Sequence, residues 1–292
     1  MKQILSLFFW ILCFQMLNAQ NNAFFFVLNI NDSYSTEKNL KGNIKFLKQS
    51  SYYAIDKFGE ISKGDECYPL ILGLYPNEVS FKQNNNPIKE FFNDKNPELI
   101  RTNIYKYNDL MKPVEYSNYD NSGDLVYKFL YTYNNKGLIS ETNSFLPNGN
   151  LDEKTIYKYN TLGKIAERSV YNPDGNLRCK WVNIYNDRGL LNEENYYYSD
   201  GRLYSKTTFD YDINGKIIGS NEIKYIEKRN RKDFYKYDSK GNVTENKYII
   251  DETRTVLRNY KYEYDVQGNW IKLIYSENTI PQYIVEREIQ YF

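Results

Sequence analysis

The stretch YKYNTLGKIAERSVYNPDGNL, residues 157–177, decides the fold, because it holds two tight-turn motifs with one strand-like run between them. In Asn160-Thr161-Leu162-Gly163 and in Asn172-Pro173-Asp174-Gly175, asparagine precedes the turn glycine by three residues. Asparagine at the first position can bond the backbone two residues on, proline presets φ, and glycine takes the left-handed conformation. The pattern predicts type I turns with a G1 bulge, a common β-hairpin loop.

The two turns recur along the chain. From Gly123 to Gly215 the intervals between turn glycines alternate between 14 and 12 residues, so each turn type returns every 26 residues. The series is Gly123, Gly137, Gly149, Gly163, Gly175, Gly189, Gly201 and Gly215, and Gly241 and Gly268 continue it with every second glycine missing. Self-similarity at a fixed period indicates a repeat architecture.

This turn type fixes a strand register, which the sequence itself can support. The residue before each turn should face the second residue after its glycine. Each predicted pair joins an aromatic residue to an aliphatic residue or to tryptophan: Tyr133–Ile139, Tyr159–Ile165, Tyr185–Leu191, Tyr211–Ile217, Tyr237–Val243, Tyr264–Trp270, Phe145–Leu151, Tyr171–Leu177 and Tyr197–Leu203. Such cross-strand pairs stabilise sheets. We therefore predict an all-β fold, an antiparallel β-hairpin meander with a period of about 26 residues.

The strands between turns show period-2 alternation of rings and charges. Tyr157-Lys158-Tyr159 places two rings on one face and a lysine on the other, and we expect the rings of the array to collect on one common face. A single hairpin cannot bury that face alone. The sheet should therefore curl into a curved sheet or an open shell, pack on a second layer or meet a partner. The array is assigned to residues 118–292.

The first part of the chain is read as a signal peptide and an irregular region. Lys2, an apolar run of about 14 residues and a small-residue exit at Ala19 predict a signal peptide over residues 1–19. Acylation of Cys13 is the alternative, which the preceding Ile11-Leu12 disfavours. The mature chain has no further run of transmembrane length. It should be exported, with periplasmic, outer-surface and secreted locations left open.

Residues 20–117 carry fewer turn signals. The motif Asp56-Lys57-Phe58-Gly59 predicts one hairpin with Ile55 facing Ile61. Between residues 63 and 103 we expect loops, short strands and one short helix around Ile88 to Phe92.

Composition excludes several function classes. The chain has 31 tyrosines, a net charge of +1 and no histidine. Nucleophilic sites, general bases and metal sites that depend on histidine are excluded. The finely mixed charges lack the basic surface of a nucleic-acid-binding protein. Cys67 and Cys179 could pair in an export compartment, although the strand-like context of Cys179 favours a small buried hydrophobe.

The motif Tyr-x-Tyr-Asn/Asp-x-x-Gly-x-Leu/Ile/Val resembles the YD repeats of the RHS family. It stands here as residues 157–165 and again as residues 235–243, and the resemblance covers about residues 119–275. It implies an extracytoplasmic β-hairpin strip of the kind that coils into toxin-enclosing shells in large members. This chain would be a short, toxin-less member, and its six or so repeats would be too few to enclose a cargo.

Glutamates recur four residues after the glycines of the first turn type. The candidate ligand face combines them with the tyrosines they are expected to oppose: Tyr131, Glu141, Tyr157, Glu167, Glu193, Tyr235 and Glu245. Carboxylates and rings could together hold a glycan. The structural alternative is a ladder in which the glutamates accept hydrogen bonds merely to hold the strand register.

Two patterns in the sequence bear on metal binding and on catalysis. Asp210 to Gly215 imitates the start of a calcium loop, but Asn221 stands where such a loop needs glutamate, so no metal or other cofactor is expected. A periodic row of glutamates gives no reason to select two as a glycosidase pair. We expect a non-enzymatic binding or scaffolding protein with an extracellular protein or glycan ligand. A carbohydrate-active enzyme and a purely structural envelope component are the alternatives.

Overall fold

The computed structural model describes residues 40–67, 77–81, 87–92 and 101–292. These residues form a single antiparallel β-sheet, which confirms the predicted all-β fold. Its nineteen strands are β1 (Ile44–Lys57), β2 (Glu60–Glu66), β3 (Asn77–Phe81), β4 (Pro87–Phe92), β5 (Arg101–Tyr107), β6 (Pro113–Tyr119), β7 (Leu125–Tyr133), β8 (Ile139–Phe145), β9 (Leu151–Tyr159), β10 (Ile165–Tyr171), β11 (Leu177–Tyr185), β12 (Leu191–Tyr198), β13 (Leu203–Tyr211), β14 (Ile217–Lys224), β15 (Arg229–Tyr237), β16 (Val243–Ile250), β17 (Arg254–Tyr264), β18 (Trp270–Glu277) and β19 (Ile280–Tyr291).

The sheet is a meander that curls round. From β3 to β19 each strand pairs with the next in the chain. Strand β1 pairs with β19 along one edge, and with β3 and β2 along the other. Because the first and last strands meet, one face of the sheet lies inside the curve. The expected curved sheet is confirmed.

The predicted turns and pairs are present. All nine aromatic–aliphatic or aromatic–tryptophan pairs occur in the expected register. The Gly163 N–H donates to the Asn160 carbonyl at 3.0 Å. The Oδ1 atom of Asn160 accepts from the backbone N–H groups of Leu162 and Lys164, each at 3.0 Å. The asparagine side chain thus satisfies backbone donors that the turn would otherwise leave unpaired.

The repeat begins one turn, 12 residues, before Gly123, where the glycine series starts. The Met111 N–H donates to the Asn108 carbonyl at 2.9 Å, as the Gly137 N–H does to Asn134. Met111 adopts φ 58°, so it occupies the glycine position of this turn. The boundary expected after residue 117 falls within β6, which pairs with both β5 and β7.

Two expectations for the first part of the chain are wrong. The segment Pro87–Phe92 is strand β4 and not a helix, because it pairs with β3 and β5. Ile55 faces Ser62 and not Ile61. Phe58 and Gly59 both have positive φ, so they form a two-residue loop that needs no bulge. The signal peptide expected over residues 1–19 lies outside the described residues.

Non-glycine residues take the positive φ in three later hairpins where the sequence lacks the second glycine, and in the first of these the residue is Lys228, at 51°. Asp251 and Glu252 have φ of 49° and 61°, and Asn278 and Thr279 have φ of 49° and 72°. Left-handed pairs of this kind match the twist of the flanking strands. The meander therefore continues without the glycine signal. No helix long and apolar enough to cross a membrane occurs in the described ranges.

Candidate functional site

The two faces of the sheet differ in burial. In β9, Tyr157 keeps 5% of its surface accessible, whereas its neighbour Lys158 is exposed. The face that carries Tyr131 and Tyr157 is called the inner face, because a single curled layer buries side chains on its inside. The face that carries Lys154 and Lys158 is the outer face.

The predicted glutamates face lysines and other residues, not tyrosines. Glu141 lies opposite Thr132, and Glu167 and Glu245 lie opposite Lys158 and Lys236. The predicted Glu–Tyr pairing is therefore wrong. Its cause is the β-bulge after each turn, where one extra residue moves every following side chain to the other face.

These glutamates form an ionic ladder on the outer face. Each carboxylate contacts a lysine of a neighbouring strand: Glu141–Lys154 at 3.1 Å, Glu167–Lys158 at 2.8 Å, Glu193–Lys206 at 2.9 Å and Glu245–Lys236 at 2.9 Å. The first three also accept from the residue two positions on, namely Asn143, Ser169 and Asn195. The predicted structural alternative fits this arrangement, with lysine and amide donors in place of tyrosine hydroxyls.

Within the ladder, the pKa values of Glu141, Glu167 and Glu193 are lowered. The Lys158 ammonium holds the pKa of Glu167 below its ordinary value, against a smaller effect of burial. The Asn195 amide and then Lys206 lower the pKa of Glu193. Carboxylates held in the ionised form by donors on their own sheet are poor candidates for general acids.

The predicted tyrosines lie on the inner face and belong to the core. Tyr131 and Tyr157 are 8% and 5% accessible and pack in one cluster with Tyr105, Tyr116 and Ile139. Burial raises the pKa of Tyr235 far above its ordinary value. The structure thus separates the seven predicted ligand-face residues, with three tyrosines inside and four glutamates outside.

The rings of the array do not share one face. Phe145, Tyr171 and Tyr197 lie opposite Lys128, Lys154 and Lys180, on the outer face. The expectation of a common ring face is wrong, and the reason is again the bulge. In β8, the even spacing from Ile139 to Phe145 would keep both on one face, but the extra residue places them on opposite faces.

A pair of inner-face acids was not predicted. Glu194 lies opposite Thr207, and Thr207 lies opposite Glu222, so the two glutamates share a face with one strand between them. Their Cα atoms are about 10 Å apart, two strand spacings. Asn183 lies opposite Glu194 on the other side, and Arg231 lies opposite Glu222.

The signal that could have revealed this pair is a break in the repeat. One or two periods away, the position of Glu194 holds Thr142, Arg168, Ser220 and Asn246. The position of Glu222 holds Ser144, Val170, Tyr196 and Tyr248. An acid that replaces neutral, apolar or basic residues of sister repeats stands out once the repeats are aligned.

Burial and neighbouring charges raise the pKa of both acids. Burial raises the pKa of Glu194, Glu222 adds to it, and Arg168 opposes it. Burial likewise raises the pKa of Glu222, with Lys224 and Arg231 opposing it. Perturbed carboxyl groups in a shared enclosure are typical of functional sites.

The basic groups of this region have partners of their own. Arg231 forms an ion pair with Asp233 at 2.7 Å, and Asn246 donates to the same carboxylate at 3.1 Å. The Arg168 guanidinium lies 3.6 Å from the centre of the Trp181 ring. Two of the cations that flank Glu194 and Glu222, Arg168 and Arg231, therefore already bind other groups.

Neither the cysteines nor the calcium-like motif supplies further chemistry. Cys67 and Cys179 are buried and form no disulfide within the described residues, and burial raises the pKa of the Cys179 thiol. In the motif, Asp212 accepts the N–H groups of Asn214 and Lys216, as in the sister turns. No group of three or more acidic, cysteine or histidine residues in the described segments could hold a metal ion.

No protein-family model matches this chain, and no curated protein matches it. The chain is similar to the crystal structure of a porin-like protein from Bacteroides uniformis, with 12% identity, 86% of this chain and 98% of that chain covered, and a TM-score of 0.44. A porin-like protein from Bacteroides vulgatus gives 12% identity, coverage of 87% and 99%, and a TM-score of 0.27.

The Tc holotoxin pore of Photorhabdus luminescens gives 15% identity and a TM-score of 0.35. The match covers 82% of this chain but spans only 11% of the toxin chain. Since these TM-scores lie below 0.5, the fold rests on the strand pairing of the chain itself. Membership of the RHS family remains an expectation from the repeat motif.

Proposed function

We propose that this chain is an exported, non-enzymatic repeat protein of the cell envelope that binds a protein or glycan ligand. The observation that carries the proposal is that the periodic carboxylates of the chain already have partners. The periodic glutamates are bound to lysines on the outer face. They therefore stabilise the sheet and are not available as a catalytic pair.

The inner acids support a binding role in a different way. Glu194 and Glu222 share the inner face with one strand between them. Burial raises the pKa of both carboxyl groups. Carboxyl groups gathered in one enclosure can hold polar groups of a ligand.

A glycan array probed with the purified full chain tests the proposal. We expect saturable binding to a restricted set of glycans, and no new reducing ends when the bound glycans are incubated with the protein. Hydrolysis that disappears in Glu222→Gln would instead establish the alternative, a carbohydrate-active enzyme. Cell fractionation tests the location, and recovery in the cytoplasm would contradict export.

A further inference from the structure

The inner acid pair has unused hydrogen-bonding capacity. The carboxyl groups of Glu194 and Glu222 form no hydrogen bond or ion pair with another described residue. Both side chains are enclosed by the curled sheet, yet both keep some accessible surface. They therefore border space inside the curve that a ligand group could enter.

A third acceptor lies beside them. Asn183 is 8% accessible, and its amide nitrogen donates to the Ile165 carbonyl at 3.1 Å. Its Oδ1 atom is buried and has no hydrogen-bond partner among the described residues. A buried acceptor without a donor costs free energy. Asn183 lies directly opposite Glu194 on the same face, so the two side chains are cross-strand neighbours.

These acceptors define the chemistry of the missing donor. Two carboxyl groups and an amide oxygen supply only acceptors when the acids are ionised, and a primary ammonium group supplies three N–H donors and one positive charge. We propose that Glu194, Glu222 and Asn183 bind a protonated primary amine of the ligand. This inference rests on the proposed binding role and specifies its chemistry.

The surrounding charges are compatible with a cation. The charge of Arg168 lowers the pKa of Glu194, but its guanidinium stacks on Trp181. The charge of Arg231 lowers the pKa of Glu222, but Arg231 forms an ion pair with Asp233. The other ionisable groups near the pair are Tyr185, Tyr204, Lys224 and Glu227. Among the charged groups that act on the pair, the acids Glu194, Glu222, Glu227 and Asp233 outnumber the cations Arg168, Lys224 and Arg231.

Binding of the ammonium group should release protons from the carboxyl groups of the site. Because burial raises the pKa of both acids, they carry protons over a higher pH range than ordinary glutamates. An ammonium group binds the ionised form. Binding should therefore strengthen as pH rises through these pKa values and level off above them.

Calorimetric titration of the full chain with three probes tests the proposal. A glucosamine tetramer and Nα-acetyl-lysine amide present a primary ammonium group from two sources, and the N-acetylated glucosamine tetramer is the uncharged match. We expect saturable binding of at least one charged probe and about tenfold weaker binding to Glu194→Gln or Glu222→Gln. The charged probe that binds identifies the source.

Glu193→Gln is the matched control, because Glu193 adjoins Glu194 but lies on the outer face with Lys206. It should bind the charged probes as the natural chain does, and thermal unfolding checks that each variant is folded. Absence of saturable binding by both charged probes would overturn the site. So would equal affinity for the uncharged tetramer, or unchanged affinity in both inner-face variants. Array glycans that still bind the double variant Glu194→Gln/Glu222→Gln would leave the general binding role intact.

Discussion

The Tyr159 hydroxyl donates a hydrogen bond of 2.6 Å to the carbonyl of Ile139, twenty residues earlier in the chain. The same bond joins four other repeats: Tyr133 to Pro113 at 2.5 Å, Tyr185 to Ile165 at 2.8 Å, Tyr211 to Leu191 at 2.7 Å and Tyr237 to Ile217 at 2.6 Å. Each of these five tyrosines thus ties its hairpin to the preceding one. In the last repeats, Tyr264 and Tyr291 bind the carboxylates of Asp238 and Asp265 instead.

Tyr159→Phe should lower the free energy of unfolding by about 1 kcal/mol, because it removes one donor and keeps the ring. Urea denaturation should show a lower midpoint with an unchanged slope. Tyr171→Phe is the control, since the Tyr171 hydroxyl bonds none of the described residues and lies on the outer face. Equal losses in the two variants would refute a specific role for this hydrogen bond.

Gly175→Ala tests the turn geometry. Gly175 has φ +85°, and a Cβ there would meet nothing within 4 Å, so strain and not a clash sets the cost. We expect a loss of about 1 kcal/mol in unfolding free energy. Gly175→Asn should lose less, because asparagine tolerates the left-handed conformation. A larger loss for asparagine than for alanine would contradict this account of the turn.

Thr279→Gly should raise stability. Thr279 is β-branched and adopts φ 72°, a conformation in which glycine carries no steric penalty. The expected gain is about 1 kcal/mol, measured by thermal or urea unfolding. Thr253→Gly is the comparison, because Thr253 lies in the neighbouring turn without a positive φ and should lose stability. The account fails here if glycine destabilises both turns.

Glu193→Gln and Glu194→Gln should change stability in opposite directions. The folded-state pKa of Glu193 is lowered, so its contribution is present above the unfolded-state pKa and disappears as pH falls through the folded value. That of Glu194 is raised, so ionisation costs stability as pH rises toward the folded value. At about pH 8 the first variant should be less stable than the natural chain and the second more stable.

At about pH 3 both differences should vanish, because the glutamates are then largely protonated in either state. Melting temperatures at the two pH values measure both effects. Parallel pH trends in the two variants would show that residues 193 and 194 do not lie on opposite faces.

The turns were predictable because their causes are local. Asn160 and Gly163 carry the turn in their own conformational preferences, and the pairing of Tyr159 with Ile165 follows from the loop length. The turn at Met111 was not predictable from the sequence, because methionine has no preference for the positive φ that it adopts there.

The faces were harder to predict than the pairs. The bulge leaves the pair Tyr133–Ile139 unchanged but moves the side chains of the following residues to the opposite face. Glu141 therefore lies opposite Thr132. The partners of Glu194 depend on three strands that only the curled sheet brings side by side. The surroundings of Glu194 therefore follow from the tertiary structure, and the sequence shows only that Glu194 breaks the repeat.

A side-chain carboxyl NMR titration of Glu193 and Glu194 tests the central claim most directly, because these neighbours in sequence should report two different faces. The account predicts that Glu193 titrates below its ordinary value of 4.5 and Glu194 above it. Titration of both residues at one common pKa, or the reverse order, would contradict it.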